Sequence, residues 1–419
     1  MSHVHGGGDA PHQPNTDTAS SDSDRRKFLK LAAGSGAIGL SSTFLASGSA
    51  SAATAAAPTP VGAAFQKPFP VHGYAAKAQG SALTPFAFDR RAVGPNDVAI
   101  DIHYCGVCHS DIHTSHGDWG PSRYPLVTGH EITGKVVAVG SGVSNVRVGD
   151  RVGVGCMVDS CGHCHECSAG FEQYCEEGPM MTYGSEVPAS VEPTGTTQGG
   201  YSTAVVVNKD FVIRVPDTVE LAAAGPMMCA AVTVYSPLRH WSVRKGSKVG
   251  IVGMGGLGHL AVQMATAMGA EVTVFTTSPD KVADAKRFGA KEVVVNYDAD
   301  KMKGLARTFD FILNTVPYKH DMDPLMATLK RDATICLVGI GKAPEPNQLG
   351  IFTTINKRNS FAGSMIGSIH ETQEAVDFCD LHKIAPDVKL IRMAQINQVW
   401  ADVVAKKARY RYVIDVKAA

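Results

Sequence analysis

A nine-residue stretch, residues 105–113, concentrates side chains that can bind a metal and move a proton. It contains two cysteines, a serine, an aspartate and two histidines. A cysteine thiolate is a good zinc ligand, and a hydroxyl close to an imidazole can carry a proton between a buried site and solvent. We therefore expect Cys108 to bind a catalytic zinc ion, with Ser110 and His113 as a proton relay.

Two further zinc ligands are predicted far from this stretch in sequence. His130 lies in a Gly-His-Glu triplet before a predicted strand, and Cys229 lies in an apolar run. With Cys108 they make a Cys2His set, and a catalytic zinc site takes three protein ligands and keeps a fourth position open. Glu131 is expected either as an alternate oxygen ligand or as a group that supports the ligands from behind.

A second cluster of cysteines predicts a second zinc site. The spacing C-x2-C-x2-C-x7-C lets four thiolates surround one tetrahedral zinc with no open position, which is a structural site. The alternatives are a disulfide pair in an oxidising compartment and an iron–sulfur cluster. We interpret the interleaved His163 and His165 as solvated bystanders. The predicted ligands are Cys161, Cys164, Cys167 and Cys175.

The other four cysteines have no such spacing. We interpret them as buried, small apolar residues and not as nucleophiles. They are Cys105, Cys156, Cys336 and Cys379.

A glycine-rich turn, residues 253–258, follows a short apolar run and precedes apolar residues at helical spacing. Strand, glycine turn and helix in this order are typical of dinucleotide-binding sites, where the backbone approaches a pyrophosphate at the helix N-terminus. A tight turn without a ligand is the alternative. The residues expected to contact a cofactor here are Gly253, Gly255, Gly256, Leu257 and Gly258.

The end of the next predicted strand indicates which dinucleotide is bound. An NAD site usually places an acidic residue there to bind the ribose 2′-hydroxyl. This chain instead has Thr276, Thr277 and Ser278, followed by Lys281. Hydroxyls and a lysine can bind a 2′-phosphate, and no carboxylate repels it, so we predict NADP over NAD. For Lys281 alone, an ordinary solvated helix position is an equal alternative.

The composition limits the function classes. The chain has 419 residues, of which 44% are hydrophobic and 19% charged, and its formal net charge is zero. That length suits two or three domains with a sizeable core. The balanced charge argues against a nucleic-acid partner, which needs a basic face.

The elements that must position these residues fall into two patterns. Short strands without a long amphipathic helix predict a β-barrel-like catalytic domain over residues 61–215, with a cysteine lobe at 156–178. Alternating helices and strands predict a doubly wound parallel sheet over 216–355, an α/β arrangement. The segment 356–419 is expected to return to the catalytic domain.

The N-terminal residues 1–52 predict a polar, disordered tail and an export signal. Arg25 and Arg26, followed by Phe-Leu-Lys and an apolar run, resemble a twin-arginine signal, although Asp24 stands where Ser or Thr is usual. We expect recognition by the twin-arginine export machinery, cleavage near Ala52/Ala53, a linker over 53–60, and a periplasmic or secreted protein that is not integral to the membrane once processed. The alternative is an uncleaved amphipathic anchor.

Several motifs together resemble the zinc-dependent medium-chain alcohol dehydrogenases, in the branch of cinnamyl alcohol dehydrogenases and broad-specificity NADP-dependent aldehyde reductases. The resemblance covers residues 64–416, and Cys2His zinc in alcohol dehydrogenase is itself the standard example of such a site. The matching motifs are Gly106-Val-Cys-His-Ser-Asp111, Gly129-His-Glu131, the four-cysteine lobe, Cys229-Ala-Ala-Val-Thr-Val-Tyr235, Gly253-Met-Gly-Gly-Leu-Gly258, Ala362-Gly-Ser-Met-Ile-Gly-Ser368 and Arg409-Tyr-Arg-Tyr-Val-Ile-Asp415.

This resemblance implies a GroES-like catalytic domain with an inserted Rossmann domain, two zinc ions per subunit, NADP and a homodimer. Carried over by position, Cys108, His130 and Cys229 bind the catalytic zinc with Glu131 beside it, and Trp119 and Ile366 line the substrate pocket. The expected reaction is hydride transfer between NADP(H) and primary aromatic or aliphatic alcohols and aldehydes. The alternatives are a polyol or sugar dehydrogenase with the same cofactors, and an exported zinc- or nucleotide-binding protein of low turnover.

Overall fold

The structure, a computed structural model, describes residues 62–342 and 349–418. The tail, export signal and linker predicted for residues 1–60 therefore lie outside the described residues. The described chain is built on two main sheets, a seven-stranded sheet formed largely of antiparallel pairs and a six-stranded parallel sheet.

The strands are short and follow the chain in order. The first nine are β1 (Phe69–Ala76), β2 (Leu83–Arg90), β3 (Asp97–Gly106), β4 (Ile132–Val139), β5 (Arg151–Val154), β6 (Met157–Asp159), β7 (Met180–Met181), β8 (Ala204–Asn208) and β9 (Ile213–Arg214). The next eight are β10 (Lys248–Val252), β11 (Glu271–Thr276), β12 (Glu292–Val295), β13 (Phe309–Asn314), β14 (Leu329–Leu337), β15 (Ser360–Gly363), β16 (Val388–Arg392) and β17 (Arg411–Asp415).

The helices lie mostly in the second half of the chain. They are α1 (His109–His116), α2 (His165–Ser168), α3 (Leu221–Pro226), α4 (Val232–His240), α5 (Gly256–Ala267), α6 (Val282–Arg287), α7 (Ala299–Gly304), α8 (Asp323–Thr328), α9 (Ile351–Ile355), α10 (Ile369–His382) and α11 (Ile396–Val404). A π-helical turn, Met227–Ala231, joins α3 to α4, and short 3-10 turns include Glu172–Tyr174 and Pro279–Lys281.

The seven-stranded sheet has the order β16-β17-β3-β4-β5-β9, with β8 also paired to β3. Its central strand β3 buries Val98, Ile100 and Ile102, which pack into a core shared with β4 and β5. The last strand of the chain, β17, pairs antiparallel with β3, so that Val413 lies opposite Gly106. The C-terminal segment therefore joins the sheet formed by the first strands.

The parallel sheet has the order β12-β11-β10-β13-β14-β15. Numbered along the chain, this is 3-2-1-4-5-6, the doubly wound order of dinucleotide-binding folds, as predicted. Its sixth strand, β15, pairs parallel with β14 through Thr334 and Ser360. The prediction that the chain leaves this sheet at residue 355 is therefore wrong, because β15 extends the sheet beyond that boundary.

The run from α3 to α4, Leu221–His240, is apolar on all sides. Within the described residues it is the one segment long and apolar enough to cross a membrane, but 94% of its most apolar window is buried inside the fold. A helix that is hydrophobic all round is expected where it is surrounded by protein. The run packs into the core beside α5 and α10, and it carries Cys229 in its π-helical turn.

Candidate active site

Four side chains from three separate segments meet beside α1. Cys108 is the N-cap residue of α1, His130 and Glu131 immediately precede β4, and Cys229 lies in the π-helical turn. One potential ligand atom from each lies within 4.8 Å of those of the other three. The structure thus brings together all four residues predicted around the catalytic metal.

The chemistry of this set fits a zinc ion. Nε2 of His130 and Oε2 of Glu131 are buried and make no hydrogen bond, which is costly unless a ligand satisfies them. A hydrogen bond with Cys229 lowers the pKa of the Cys108 thiol well below its usual range, against the opposing effect of burial, and His130 adds to the lowering. The same hydrogen bond raises the pKa of Cys229, and although burial lowers the pKa of His130, the charges of Cys156 and Asp111 raise it overall. Zinc binds the thiolate and the neutral imidazole, so zinc binding would displace the protons of Cys229 and His130.

Asp111 holds this site from behind. Its buried carboxylate accepts hydrogen bonds from the amides of Cys108 (2.9 Å) and Gly129 (3.0 Å) and from the Tyr201 hydroxyl (2.8 Å). Its Oδ1 also lies 3.0 Å from Nδ1 of His130. A carboxylate on one imidazole nitrogen fixes the ring so that the other nitrogen can bind metal. The sequence analysis did not assign a role to Asp111.

Glu131 forms a buried ion pair with Arg411 in β17, in which the two side chains are 0% and 6% exposed. Burial raises the pKa of Glu131 to about 7, while Arg411 opposes this rise. Arg411 also donates to the carbonyl of Val107 (3.1 Å). A Cβ atom on Gly256 would lie 2.6 Å from Nη1 of Arg411, so the guanidinium packs directly against the first turn of α5. The Arg411 side chain therefore contacts both Glu131 beside the metal ligands and the glycine turn.

The surroundings of Cys156 correct one prediction. Cys105, Cys336 and Cys379 are buried, as expected of small apolar residues. Cys156 is only partly buried, and its thiol hydrogen-bonds to Cys229, which lowers the pKa of Cys156 against the effect of burial. It therefore belongs to the surroundings of the metal site.

Of the two predicted relay residues, Ser110 lines the cavity and His113 does not. Ser110 lines the central cavity, and its Oγ lies 3.6 Å from Sγ of Cys108. His113, one helical turn later, lies behind the cavity wall, with its ring 5.2 Å from that of Trp119. Its Nδ1 is 2.8 Å from Oδ2 of Asp118, which the sequence analysis did not identify. Lys342 Nζ lies 3.5 Å from the other oxygen of Asp118.

A cavity of about 380 Å³ runs from the metal set, that is Cys108, His130, Glu131 and Cys229, to the glycine turn. Cys108 and Cys229 face one part of it, and Trp119 and Ile366 line it as predicted for a substrate pocket. Trp119 also donates from its indole nitrogen to the carbonyl of Gly341 (2.8 Å). The predicted cofactor residues that line the same cavity are Gly253, Gly255, Gly256, Leu257, Thr276, Thr277, Ser278 and Lys281.

The glycine turn has the shape that a dinucleotide requires. Gly253 has a φ of 92°, which favours glycine, and a Cβ atom on Gly258 would lie 2.1 Å from the carbonyl oxygen of Gly253. Gly258 therefore lies under the turn and not on the cavity surface, where it allows α5 to approach the strand closely. A Cβ atom on Gly255 would meet nothing within 4 Å, so the space over the turn is open.

The end of β11 carries the residues predicted to bind a 2′-phosphate. Thr276 Oγ1 accepts from the amide of Ser278 (3.1 Å), and Lys281 Nζ donates to the carbonyl of Met254 (2.9 Å). Burial lowers the pKa of Lys281. The neighbouring carboxylate, Asp280, is paired with Arg409. The site thus presents hydroxyls and an ammonium group to the cavity.

The four-cysteine lobe brings its sulfur atoms together. All four Sγ atoms lie within 4.8 Å of one another, with Cys161 and Cys167 3.8 Å apart. Hydrogen bonds from the backbone amides of Cys167 and Glu176 lower the pKa of the Cys164 thiol to about 6. Four closely spaced thiols with amide donors fit a closed, tetrahedral zinc site. His163 is exposed and pairs with Glu177.

One further cavity residue was missed by the sequence analysis. His109 lines the same cavity, and its Nε2 is buried without a hydrogen-bond partner. Burial lowers the pKa of His109. Its place between Cys108 and Ser110 was the available signal, because both of these neighbours were assigned roles in the site.

Comparisons with known proteins agree with this geometry. Residues 94–217 match the family described as alcohol dehydrogenase GroES-like domain, and residues 256–380 match the family described as zinc-binding dehydrogenase. The chain is 49% identical over 346 residues to aldehyde reductase YahK of Escherichia coli, covering 82% of this chain and 97% of that protein. It is 47% identical over 347 residues to NADP-dependent alcohol dehydrogenase C 1 of Mycolicibacterium smegmatis, with the same coverage. Among solved structures, a cinnamyl alcohol dehydrogenase from Sorghum bicolor superposes with a TM-score of 0.79 at 39% identity, covering 84% of this chain and 98% of that one.

Proposed function

The chain belongs to the zinc-dependent medium-chain alcohol dehydrogenase family, and on that basis we propose that it transfers a hydride between NADP(H) and primary alcohols or aldehydes. The observation that carries this proposal is the single cavity that joins Cys108 and Cys229 to the glycine turn. Such a reaction requires an accessible metal site and a dinucleotide-binding turn that share one cavity. The similar aldehyde reductase and NADP-dependent alcohol dehydrogenase support the same assignment.

The residues of this chain have distinct roles in the proposed reaction. Cys108, His130 and Cys229 would hold the catalytic zinc, and the four-cysteine lobe would hold a structural zinc. When bound, zinc supplies a Lewis acid for the substrate oxygen and NADPH supplies the hydride. Asp111 fixes the ring of His130, and the ion pair with Arg411 holds Glu131 beside the set.

Protons move through the chain's own side chains. Ser110 faces the cavity close to Cys108 and is placed to donate a proton to the product oxygen. His113 lies on the same face of α1 one turn later, where residues three apart are neighbours. Asp118 holds the imidazole through Nδ1, which leaves Nε2 to exchange a proton.

The substrate end of the cavity favours aromatic or aliphatic aldehydes over polyols. We assign this end to the residues around Trp119 and Ile366; Ile340 and Met365 line the same cavity. The four side chains are apolar apart from the Trp119 indole nitrogen, which is already bonded to Gly341. A polyol needs hydrogen-bond partners for its several hydroxyl groups, because unpaired buried polar groups are costly. Cinnamaldehyde and benzaldehyde are therefore the substrates to test first.

The experiment is to measure oxidation of NADPH and NADH with cinnamaldehyde, benzaldehyde and a sugar aldehyde, alongside zinc content. We expect chelator-sensitive turnover with NADPH and the aromatic aldehydes, and two zinc ions per chain. Preference for the sugar aldehyde would favour the polyol and sugar dehydrogenases instead. A folded, zinc-loaded protein that turns over none of these would refute the proposed reaction and leave a binding function.

We also propose that the protein forms a homodimer through the free edge of the parallel sheet. β15 lies at that edge, and Phe361 is 36% exposed. Beside it in sequence, α9 exposes Ile351, Phe352 and Ile355 by 73%, 80% and 68%. An exposed strand edge with nearby apolar side chains is a place where a second copy can pair. A monomeric mass in sedimentation velocity at micromolar concentration would contradict this proposal.

We propose further that residues 1–52 direct export by the twin-arginine route, with cleavage near Ala52/Ala53 and a periplasmic or secreted product. The support is the sequence pattern around Arg25 and Arg26. In addition, 82% of this chain matches 97% of each of two similar proteins, so part of this chain has no counterpart in them. Changing both arginines to lysine should retain the precursor inside the cell, as fractionation would detect. Unchanged export would remove the twin-arginine assignment.

We also propose that the chain divides into two domains. We assign residues 61–215 and the segment after β15 to the catalytic domain, with the lobe at 156–178. We assign residues 216–355 together with β15 to the nucleotide-binding domain. The sheet pairings of β15 and β17 support this division.

A further inference from the structure

The loop between β15 and α10 forms one wall of the cavity in an unfavourable backbone conformation. Ser364, Met365 and Ile366 line the cavity. Ile366 has a φ of 41°, in the left-handed region that a β-branched residue rarely adopts. Such a conformation persists only where the surroundings enforce it, and it occurs often at ligand sites. The contacts that enforce it are therefore candidates for setting the shape of the pocket.

Two of these contacts come from the four-cysteine lobe. The hydroxyl of Tyr174 accepts a hydrogen bond from the amide of Met365 (3.3 Å), and Oε2 of Glu172 accepts one from the amide of Ile369 (3.3 Å). These amides lie on either side of Ile366. Both acceptors belong to the 3-10 turn Glu172–Tyr174, which leads directly into Cys175, a member of the four-cysteine set.

The remaining contacts hold both ends of the loop, since the amide of Ser364 donates to the carbonyl of Leu337 (3.1 Å) and Ile366 packs on the edge of the core that contains β3 and β4. A Cβ atom on Gly367 would lie 2.5 Å from Cγ2 of Val232, so this residue packs against α4 without a side chain. Ser368 and Glu371 form a reciprocal capping box at the start of α10. Among the described residues, the Tyr174 hydroxyl is the one hydrogen-bond acceptor of the Met365 amide, which immediately precedes Ile366.

We infer that Tyr174 and Glu172 are positioning residues that hold the strained Ile366 against the substrate, so that the four-cysteine lobe sets the selectivity of the pocket for the aldehyde side chain. The inference rests on the proposed reaction, because it assigns Ile366 to the substrate end of that cavity. The lobe would then do more than stabilise the fold. The turn before Cys175 would make the position of the loop at the pocket wall depend on the conformation of the zinc-bound lobe.

The test uses the full-length, zinc-loaded protein with Tyr174→Phe, Glu172→Ala and the two combined. Tyr174 is 44% exposed, so loss of its hydroxyl should leave the fold intact. We expect the KM for cinnamaldehyde to rise by about tenfold in the combined variant, as for the loss of one to two hydrogen bonds. The KM for acetaldehyde and the Kd for NADPH should change less than about twofold, since these contacts act on the far end of the substrate.

Two further variants separate positioning from general damage. Glu172→Gln keeps an oxygen acceptor and should restore most of the wild-type KM ratio between the two aldehydes. Glu177→Gln changes an exposed carboxylate of the same lobe that pairs with His163 and makes no contact recorded with the loop, so it should leave the ratio unchanged. Zinc content should stay at the wild-type level in every variant.

Hydrogen exchange of the peptide spanning residues 364–369 provides a readout that does not depend on turnover. Exchange should be faster in the combined variant than in the wild type. Unchanged exchange would show that Tyr174 and Glu172 do not hold the loop. Faster exchange with an unchanged ratio of the two aldehyde KM values would show that they hold the loop without affecting selectivity. If the wild-type protein turned over no aldehyde, the proposed reaction would fail while the exchange experiment still decided whether the lobe holds the loop.

Discussion

Replacing Asp118 by asparagine tests the proton relay at the one contact that orients His113. In the structure Oδ2 of Asp118 lies 2.8 Å from Nδ1 of His113, and the two side chains are 9% and 12% exposed. A carboxylate only accepts hydrogen bonds, so it selects the imidazole form with the proton on Nδ1 and stabilises the imidazolium. Although burial raises the pKa of Asp118, the bond to His113 and the charge of Lys342 lower it overall, which keeps the carboxylate ionised near neutral pH.

The size of the effect follows from the kind of bond that is lost. An asparagine can donate or accept at this position, so it no longer selects one form of His113, and it carries no charge to stabilise the imidazolium. A hydrogen bond to a charged group contributes about 1.5–3 kcal/mol. If that stabilisation acts in the proton-transfer step, alcohol oxidation should slow by roughly 10- to 100-fold. The contribution of Lys342 should be small, because its side chain is 78% exposed.

The assay is the pH dependence of kcat for alcohol oxidation in the wild type, Asp118→Asn, His113→Gln and the double variant. Because the two residues act as one unit, Asp118→Asn should cost little more on the His113→Gln background. NADPH affinity, measured by fluorescence titration, should not change. Full activity of Asp118→Asn with an unaltered pH profile would refute the relay, and additive losses would show that the two residues act separately.

Three other predictions follow from single contacts. Removing the Lys281 ammonium group (Lys281→Ala) should weaken NADPH binding by about 10-fold or more while NADH binding changes little, because only the 2′-phosphate needs the charge; fluorescence titration with both nucleotides checks this. Cys167→Ser should reduce zinc from two ions to one per chain and lower the Tm, as elemental analysis and calorimetry would show. His259 is fully buried, and burial lowers its pKa to about 4, so its stabilising effect is present above an unfolded pKa near 6.5 and is lost as pH falls towards 4. Between pH 7 and 5 the wild type should therefore lose about 2 kcal/mol more of its free energy of unfolding than His259→Asn, measured with urea; equal losses would contradict a buried neutral histidine.

The parts of the site that carry a spacing motif were predictable from sequence. The glycine turn was recognised because three glycines at fixed offsets follow a strand and open a helix, and the sheet order then agreed with a dinucleotide fold. The four cysteines of the lobe were recognised as zinc ligands because few other roles explain four cysteines within fifteen residues. In both cases the chemistry requires neighbours in sequence, so the pattern is visible without the fold.

The supporting charges could not be predicted in this way. Arg411 meets Glu131 across 280 positions of sequence, and Asp118 is one acidic residue among many. Asp111 was visible beside Cys108, but nothing in the sequence shows that it would accept hydrogen bonds from three separate segments. The short strand β15, with sequence Ser-Phe-Ala-Gly, was assigned to the wrong domain because four residues carry no period that separates strand from loop.

Arg411 connects the last strand of the chain to both halves of the site. Its guanidinium neutralises the buried Glu131 beside the metal set and packs on Gly256 at the start of α5, where a cofactor pyrophosphate would bind. Removing one partner of a buried ion pair typically costs about 3–5 kcal/mol, because the other charge is left without compensation. A site divided between two sheets needs one rigid connection so that metal and nucleotide keep a fixed distance. β17 provides it, since it is hydrogen-bonded to β3 in the first sheet while its first residue contacts the glycine turn of the second.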